Sequence, residues 1–181
     1  MGLAPMVLDA AFARAMRYAR RAYAGGSYPV GAVIVTEDGR VVGGGGNRTQ
    51  TTGVPTDHAE MGAIRRARPA LVAAGPGTLT LVTTGEPCLM CVGAILQTPA
   101  IGRVVWAVGP VSLAGSAMAA IRATGYNRER LASLEVIAEP SVEARIAASR
   151  LLYRWCVERS DPRAAMFADA ATAGSSQGEA G

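Results

Sequence analysis

The chain has 181 residues, enough for one domain with a self-sufficient core, so it needs neither disulfides nor a structural metal to fold. Half of it is hydrophobic, which excludes a wholly disordered chain, and no run approaches the ~20 consecutive apolar residues of a membrane span. The formal net charge of +4 is carried by arginine alone, with no lysine, a balance that permits a polyanionic partner without requiring one.

Asp9 to Ala24 reads as an amphipathic helix, with Phe12, Met16 and Ala19 on one face, Arg14, Arg17 and Arg21 on the other, and Gly25-Gly26 as its stop. Those arginines, with Arg20, leave no apolar core for a signal peptide, so we expect a cytoplasmic location. Pro29 to Thr36 is a strand of the fully buried type, and Asp38-Gly39 marks a hairpin turn into a second strand near Arg40 to Gly43. A glycine run over Gly43 to Gly46 and a Thr-rich loop to Val54 come next. Pro55-Thr56-Asp57 then opens a helix over His58 to Ala73. Thr78 to Thr84 is a strand, and Gly85-Glu86-Pro87 starts a helix, with proline in its first turn, that ends near Thr98-Pro99. Arg103 to Val108 is a strand. Gly109 to Arg130 reads as a loop with a short helix near Ala117 to Ala123. Leu134 to Ala138 is a strand, and Ser141 to Glu158 is a long closing helix. Helices alternating with strands, one hairpin among them, predict an α/β fold with helices on both faces of a mixed sheet. Residues 1–159 form the expected domain, and 160–181, poor in apolar anchors, the expected disordered tail.

Chemistry concentrates in two short strings. The chain's single histidine, His58, is followed two residues later by Glu60; Cys88 and Cys91 follow Pro87. Zinc accepts imidazole nitrogen and thiolate sulfur, and a catalytic zinc keeps three protein ligands and one open position. His58, Cys88 and Cys91 supply that count, for one Zn²⁺ per chain. Two cysteines three apart at a helix start share one face, and the helix N-terminus favours their thiolates. The metal brings a bound water toward a pKa of about 7. Glu60 stands close to the ligand His58 but points differently, so it can accept that water's proton and pass it to a leaving group. A lone histidine is usually a cap or core residue, and a lone Cys-x-x-Cys can be a redox pair or two small apolar side chains. The combination of His-x-Glu with Pro-Cys-x-x-Cys is specific to zinc deaminases. The third cysteine, Cys156, reads as a core or surface thiol, and an odd number suits a reducing compartment.

From about Asp9 to Trp155 the chain resembles the cytidine deaminase-like superfamily of zinc nucleobase and nucleoside deaminases. The resemblance is carried by Pro29-Val30-Gly31-Ala32-Val33-Ile34-Val35, Asn47, His58-Ala59-Glu60, Pro87-Cys88-Leu89-Met90-Cys91 and Val92-Gly93-Ala94-Ile95. These strings look closest to the branch of bacterial guanine deaminases and tRNA adenosine deaminases. The resemblance implies a three-layer α/β/α sandwich around a mixed five-stranded sheet, and commonly a homodimer. It implies zinc on His58, Cys88 and Cys91, and a proton shuttle at Glu60. It also implies a substrate contact from the Asn47 amide, with the Ala59 N–H and Pro87 C=O facing the reacting carbon and departing amine. Hydroxide on zinc would attack an amino-bearing ring carbon, and ammonia would leave.

The substrate is the open point. The tRNA enzymes usually carry a charged loop after the strand equivalent to Arg103–Val108, whereas Gly109 to Ala114 is uncharged here. Arg150, Arg154 and Arg159 put positive charge on the last helix, diluted by Glu158 and Asp161. Guanine deaminases usually place acidic residues after the same strand. This chain has none between Glu86 and Glu129, leaving Glu135, Glu139 or Glu143 as substitutes. The Thr-rich loop (Thr49, Thr51, Thr52) favours the small-molecule enzymes. We therefore expect a small aminopurine-type nucleobase or nucleoside, with tRNA as the alternative partner and a non-catalytic zinc scaffold as the weakest reading.

Overall fold

The computed structural model describes residues 3–172. Its centre is a five-stranded mixed sheet of β1 (Gly31–Val35), β2 (Val41–Gly46), β3 (Leu79–Gly85), β4 (Ile101–Val108) and β5 (Glu135–Ala138), in the order β2-β1-β3-β4-β5. β1 runs antiparallel to both β2 and β3, while β3, β4 and β5 are parallel. Every residue of β1 and β3 is buried, as expected of strands covered on both faces. Around the sheet lie α1 (Pro5–Ala24), α2 (Thr49–Thr52), α3 (Ala59–Ala73), α4 (Leu89–Leu96), α5 (Ala117–Thr124), α6 (Arg128–Ser133), α7 (Val142–Glu158) and α8 (Ala164–Thr172). None of the described helices is long and apolar enough to cross a membrane.

The second strand, expected to end near Gly43, continues through the glycine run to Gly46. A Cβ on Gly43 would lie 2.5 Å from the Ala63 carbonyl oxygen and one on Gly45 2.6 Å from that of Ala59, both on α3. On the opposite face, a Cβ on Gly44 would lie 2.5 Å from the Tyr18 ring and one on Gly46 2.7 Å from the Tyr18 carbonyl oxygen, both on α1. Side chains alternate across a strand, so these four contacts place α1 and α3 on opposite faces of the sheet. They also explain a strand made of a residue that strands disfavour: two helix backbones press where side chains would stand. α1 buries Ala11, Phe12, Ala15, Met16, Ala19 and Ala22, the apolar stripe of the sequence, and leaves its arginines exposed.

Three further boundaries differ from expectation. Gly85 still pairs with Val108, and the Glu86 N–H donates to the Val108 carbonyl (2.7 Å), so β3 outlasts the glycine where a helix was expected to begin. α4 starts only after Pro87, which sits ahead of the N-cap Cys88 rather than in the first turn. The segment 109–130 ends in the unexpected start of α6. The disordered tail expected from 160 is instead helix α8, packed on α7, with Phe167 and Ala171 buried and the Arg150 Nε donating to the Ala171 carbonyl (3.0 Å). One aromatic is enough to dock a short helix, since burying a phenylalanine contributes about 1.5–3 kcal/mol. The remainder of that expected tail, 173–181, lies outside the described residues.

Candidate active site

Two helices begin on the same side of the sheet. His58 is the N-cap of α3 and Cys88 the N-cap of α4, and neither side chain makes a capping hydrogen bond. Helix starts favour Ser, Thr, Asp or Asn at that position. Here the side chains turn toward one another instead. His58 Nδ1 lies 3.5 Å from Cys88 Sγ and 3.6 Å from Cys91 Sγ, and the two sulfurs are 3.7 Å apart. Three donors at about 2.1–2.3 Å from one tetrahedral zinc stand about 3.6 Å (nitrogen to sulfur) and about 3.8 Å (sulfur to sulfur) from each other. The triangle therefore has the dimensions and the N,S,S chemistry of a zinc site with one position to spare, and among the described residues these three are the group able to hold a metal ion.

The charges around the triangle are tuned. The hydrogen bond from Cys91, then that of His58, hold the Cys88 thiol down at about 4. The same bond, with burial, pushes Cys91 up, so a cation that takes both sulfurs as thiolates displaces a proton from the pair. The Cys88 hydrogen bond raises His58. Glu60, in the first turn of α3, is only 3% exposed, and burial raises its carboxyl. Its Oε1 accepts from Thr83 Oγ1 of β3 (3.1 Å), and its Oε2 lies 3.5 Å from Cys91 Sγ.

This cluster forms the floor of a cavity of about 450 Å³. Asn47, Thr49, Gln50, His58, Ala59, Glu60 and Cys88 are among the residues that line it. The Asn47 amide is largely engaged: Nδ2 donates to the Tyr28 carbonyl (3.2 Å), to Thr49 Oγ1 (3.3 Å) and to Gln50 Oε1 (3.4 Å). Ala59 contributes the first N–H of α3, which has no intrahelical acceptor. Pro87 is buried between two lining residues, Glu86 and Cys88, without lining the cavity itself.

The acidic residue in the wall is Glu86, not Glu135, Glu139 or Glu143. Glu135 pairs with Arg103, Glu139 accepts from the Gly109 N–H (3.1 Å), and Glu143 accepts from the Ser141 hydroxyl at the start of α7. Glu86 Oε1 accepts from Ser116 Oγ (2.6 Å) and the Met118 N–H (3.1 Å), which ties the strand end to α5. Its place directly before Pro87-Cys88 was a usable signal. Tyr28, Val30, Val111, Ser112, Leu113 and Arg163 complete the lining; the loop 109–114 was weighed only for its lack of charge, and Tyr28 and Arg163 gave no signal, because they arrive from distant parts of the chain.

Fold and donor set together are those of the zinc-type deaminase family. Residues 7–108 match the model of the cytidine and deoxycytidylate deaminase zinc-binding region, and the chain belongs to that family, a family of hydrolytic deaminases. A tRNA(Ile)-lysidine synthase of Deinococcus radiodurans is 42% identical over 111 residues, 59% of this chain and 18% of that protein. The guanine deaminase of Bacillus subtilis is 48% identical over 67 residues, 37% of this chain and 42% of that enzyme. The chain thus spans less than half the length of these curated relatives. A structure from a study of A-to-I editing by tRNA:A34 deaminases superposes with a TM-score of 0.66 at 31% identity, covering 80% of this chain and 99% of that one.

Proposed function

We propose that this protein removes the exocyclic amino group of a small aminopurine-type nucleobase or nucleoside by zinc-dependent hydrolysis, releasing ammonia. The observation that carries the reading is the buried Glu60 carboxyl beside a three-donor metal triangle at the floor of a cavity of about 450 Å³, within the ~300–1,000 Å³ usual for small-molecule sites. His58 Nδ1 and the two sulfurs would hold the zinc, which supplies Lewis acidity toward water and substrate. Thr83 fixes one oxygen of Glu60, which leaves Oε2 to accept a proton from water. A carboxyl raised by burial is suited to keep that proton and hand it on to a ring nitrogen and then to the departing amine. The Ala59 N–H, at the positive end of α3, steadies negative charge building near the reacting carbon. Asn47 holds the loop that bounds the substrate. The active unit is taken as a homodimer, which light scattering measures.

A second reading, deamination of an anticodon adenosine in tRNA, draws support from the structural similarity at 31% identity. One experiment separates the two. Zinc-loaded protein is incubated with guanine, guanosine, adenosine, cytosine, cytidine and an anticodon stem-loop, and ammonia and inosine are measured. Release from a free purine or nucleoside is the expected result. Product from the stem-loop alone overturns the preference, and no product from any of them overturns the enzyme.

A further inference from the structure

The cavity wall contributed by the C-terminal segment is built around one guanidinium. Arg163 precedes α8, and its side chain is 25% exposed. Asp161 takes its Nε (2.8 Å), its Nη2 (2.6 Å) and its backbone N–H (2.9 Å). The guanidinium carbon lies 4.1 Å from the centre of the Tyr28 ring, and Tyr28 in turn meets Trp155 edge-on at 5.1 Å. Tyr28 is anchored on three further sides. Its hydroxyl donates to the Val111 carbonyl (3.3 Å), its N–H to Gln50 Oε1 (3.0 Å), and its carbonyl accepts from Asn47. The plane of the arginine is therefore set by a network reaching both other walls of the cavity.

Two features decide what this arginine can bind. An anion such as phosphate is gripped by the paired N–H groups of the guanidinium fork, and one such pair is already held by a carboxylate. That ion pair also cancels the charge that would draw a phosphate in. What is left for the cavity, which Arg163 lines, is the N–H groups of Nη1 and Nη2 that neither Asp161 nor Tyr28 takes, in a fixed plane. Asn47, the donor expected from sequence, already donates to the Tyr28 carbonyl and to Thr49 and Gln50.

We propose that Arg163 recognises the substrate ring, with a remaining guanidinium N–H donating to a ring nitrogen or exocyclic oxygen, and that Asp161 restricts the site to uncharged heterocycles over their phosphorylated forms. This rests on the small-molecule reading above and adds to it the residue that sets specificity. Arg163 and Asp161 act on binding, not on the proton transfers at Glu60.

The test uses the zinc-loaded full chain. Arg163→Gln should raise KM about tenfold while kcat stays within about threefold, and zinc content should not change. Arg163→Lys, lacking the planar fork, should not restore KM. Asp161→Asn should raise kcat/KM for a nucleoside 5′-monophosphate relative to the parent nucleoside. Binding is read independently of turnover in Glu60→Gln protein, through the intrinsic tryptophan fluorescence on titration with the purine. Loss of affinity there on adding Arg163→Gln supports the proposal. An unchanged KM and unchanged fluorescence titration in Arg163→Gln overturn it, as does a lowered melting temperature with affinity intact. Turnover of the anticodon stem-loop alone overturns the small-molecule reading and the restriction to uncharged rings. The ring contact is then judged from the stem-loop KM of Arg163→Gln, a rise supporting it and no change ending it.

Discussion

The floor and the outer wall of the cavity are made in different ways. The floor comes from two helix starts, residues 58–60 and 88–91, set side by side on the sheet, and its donors meet within 3.5–3.7 Å. The wall joins Tyr28, Val111, Trp155 and Arg163 through ring contacts, one ion pair and carbonyl hydrogen bonds. A floor of this kind is rigid because each side chain rides on the first turn of a helix whose backbone is locked into the core. A wall of the second kind depends on the docking of α8, which one buried aromatic secures. The floor is thereby suited to chemistry that tolerates little displacement, and the wall to selecting what reaches it.

The comparison can be broken most severely at the floor. Cys91→Ala should bring the zinc bound after gel filtration, counted by elemental analysis, from about one per chain to a small fraction of that. Activity should fall by more than the 10–100-fold typical of changes to outer partners of a metal site. Glu60→Gln should keep the zinc and lose about 10²–10⁴ in kcat, so the pair of variants separates metal holding from proton transfer. Next in size is Gly45→Ala, whose new Cβ would stand 2.6 Å from the Ala59 carbonyl oxygen and 3.0 Å from the Ala63 nitrogen. We expect a loss of about 1–3 kcal/mol in thermal or denaturant unfolding. Zinc affinity should weaken with it, because the α3 start that carries His58 is what moves.

The wall should yield to smaller effects. Phe167→Ala removes a fully buried ring, a change worth about 3–5 kcal/mol in a central core. Here the loss is capped by the docking free energy of α8. Melting of the main domain should shift little, while amide exchange over 161–172 accelerates. The smallest effect is that of pH. Arg163 lowers the Asp161 carboxyl from its ordinary 3.8 to about 2. A lowered carboxyl stabilises above its unfolded value, so the contribution of the pair is complete above about pH 4 and is lost as pH falls toward 2. Exchange protection over 161–172 should decline across that window in the wild type and not in Asp161→Asn.

Legibility followed the same division. The metal donors and Glu60 were readable because each lies in a short string whose residue types and spacing have a chemical purpose. Helix α1 was readable from its apolar periodicity and α3 from the Pro55-Thr56-Asp57 start ahead of it. The second strand was expected to stop near Gly43 because a run of glycine carries no period at all; only the approach of α1 on one side and α3 on the other carries it on to Gly46. Helix α8 was missed because alanine dominates it, and a single phenylalanine is a weak signal until a partner helix covers it.

The order of residues alone therefore determined the alternation of helix and strand, the deaminase family, and the His58, Cys88, Cys91 and Glu60 constellation, since these depend on local pattern and on elements of side-chain chemistry that do not change with context. Tertiary structure alone decided that Glu86 braces α5, that Asn47 donates to the Tyr28 carbonyl, and that Tyr28 and Arg163, 135 positions apart, meet over the cavity. Such contacts depend on how layers stack and which carbonyls are left to pair, and no spacing along the chain encodes that.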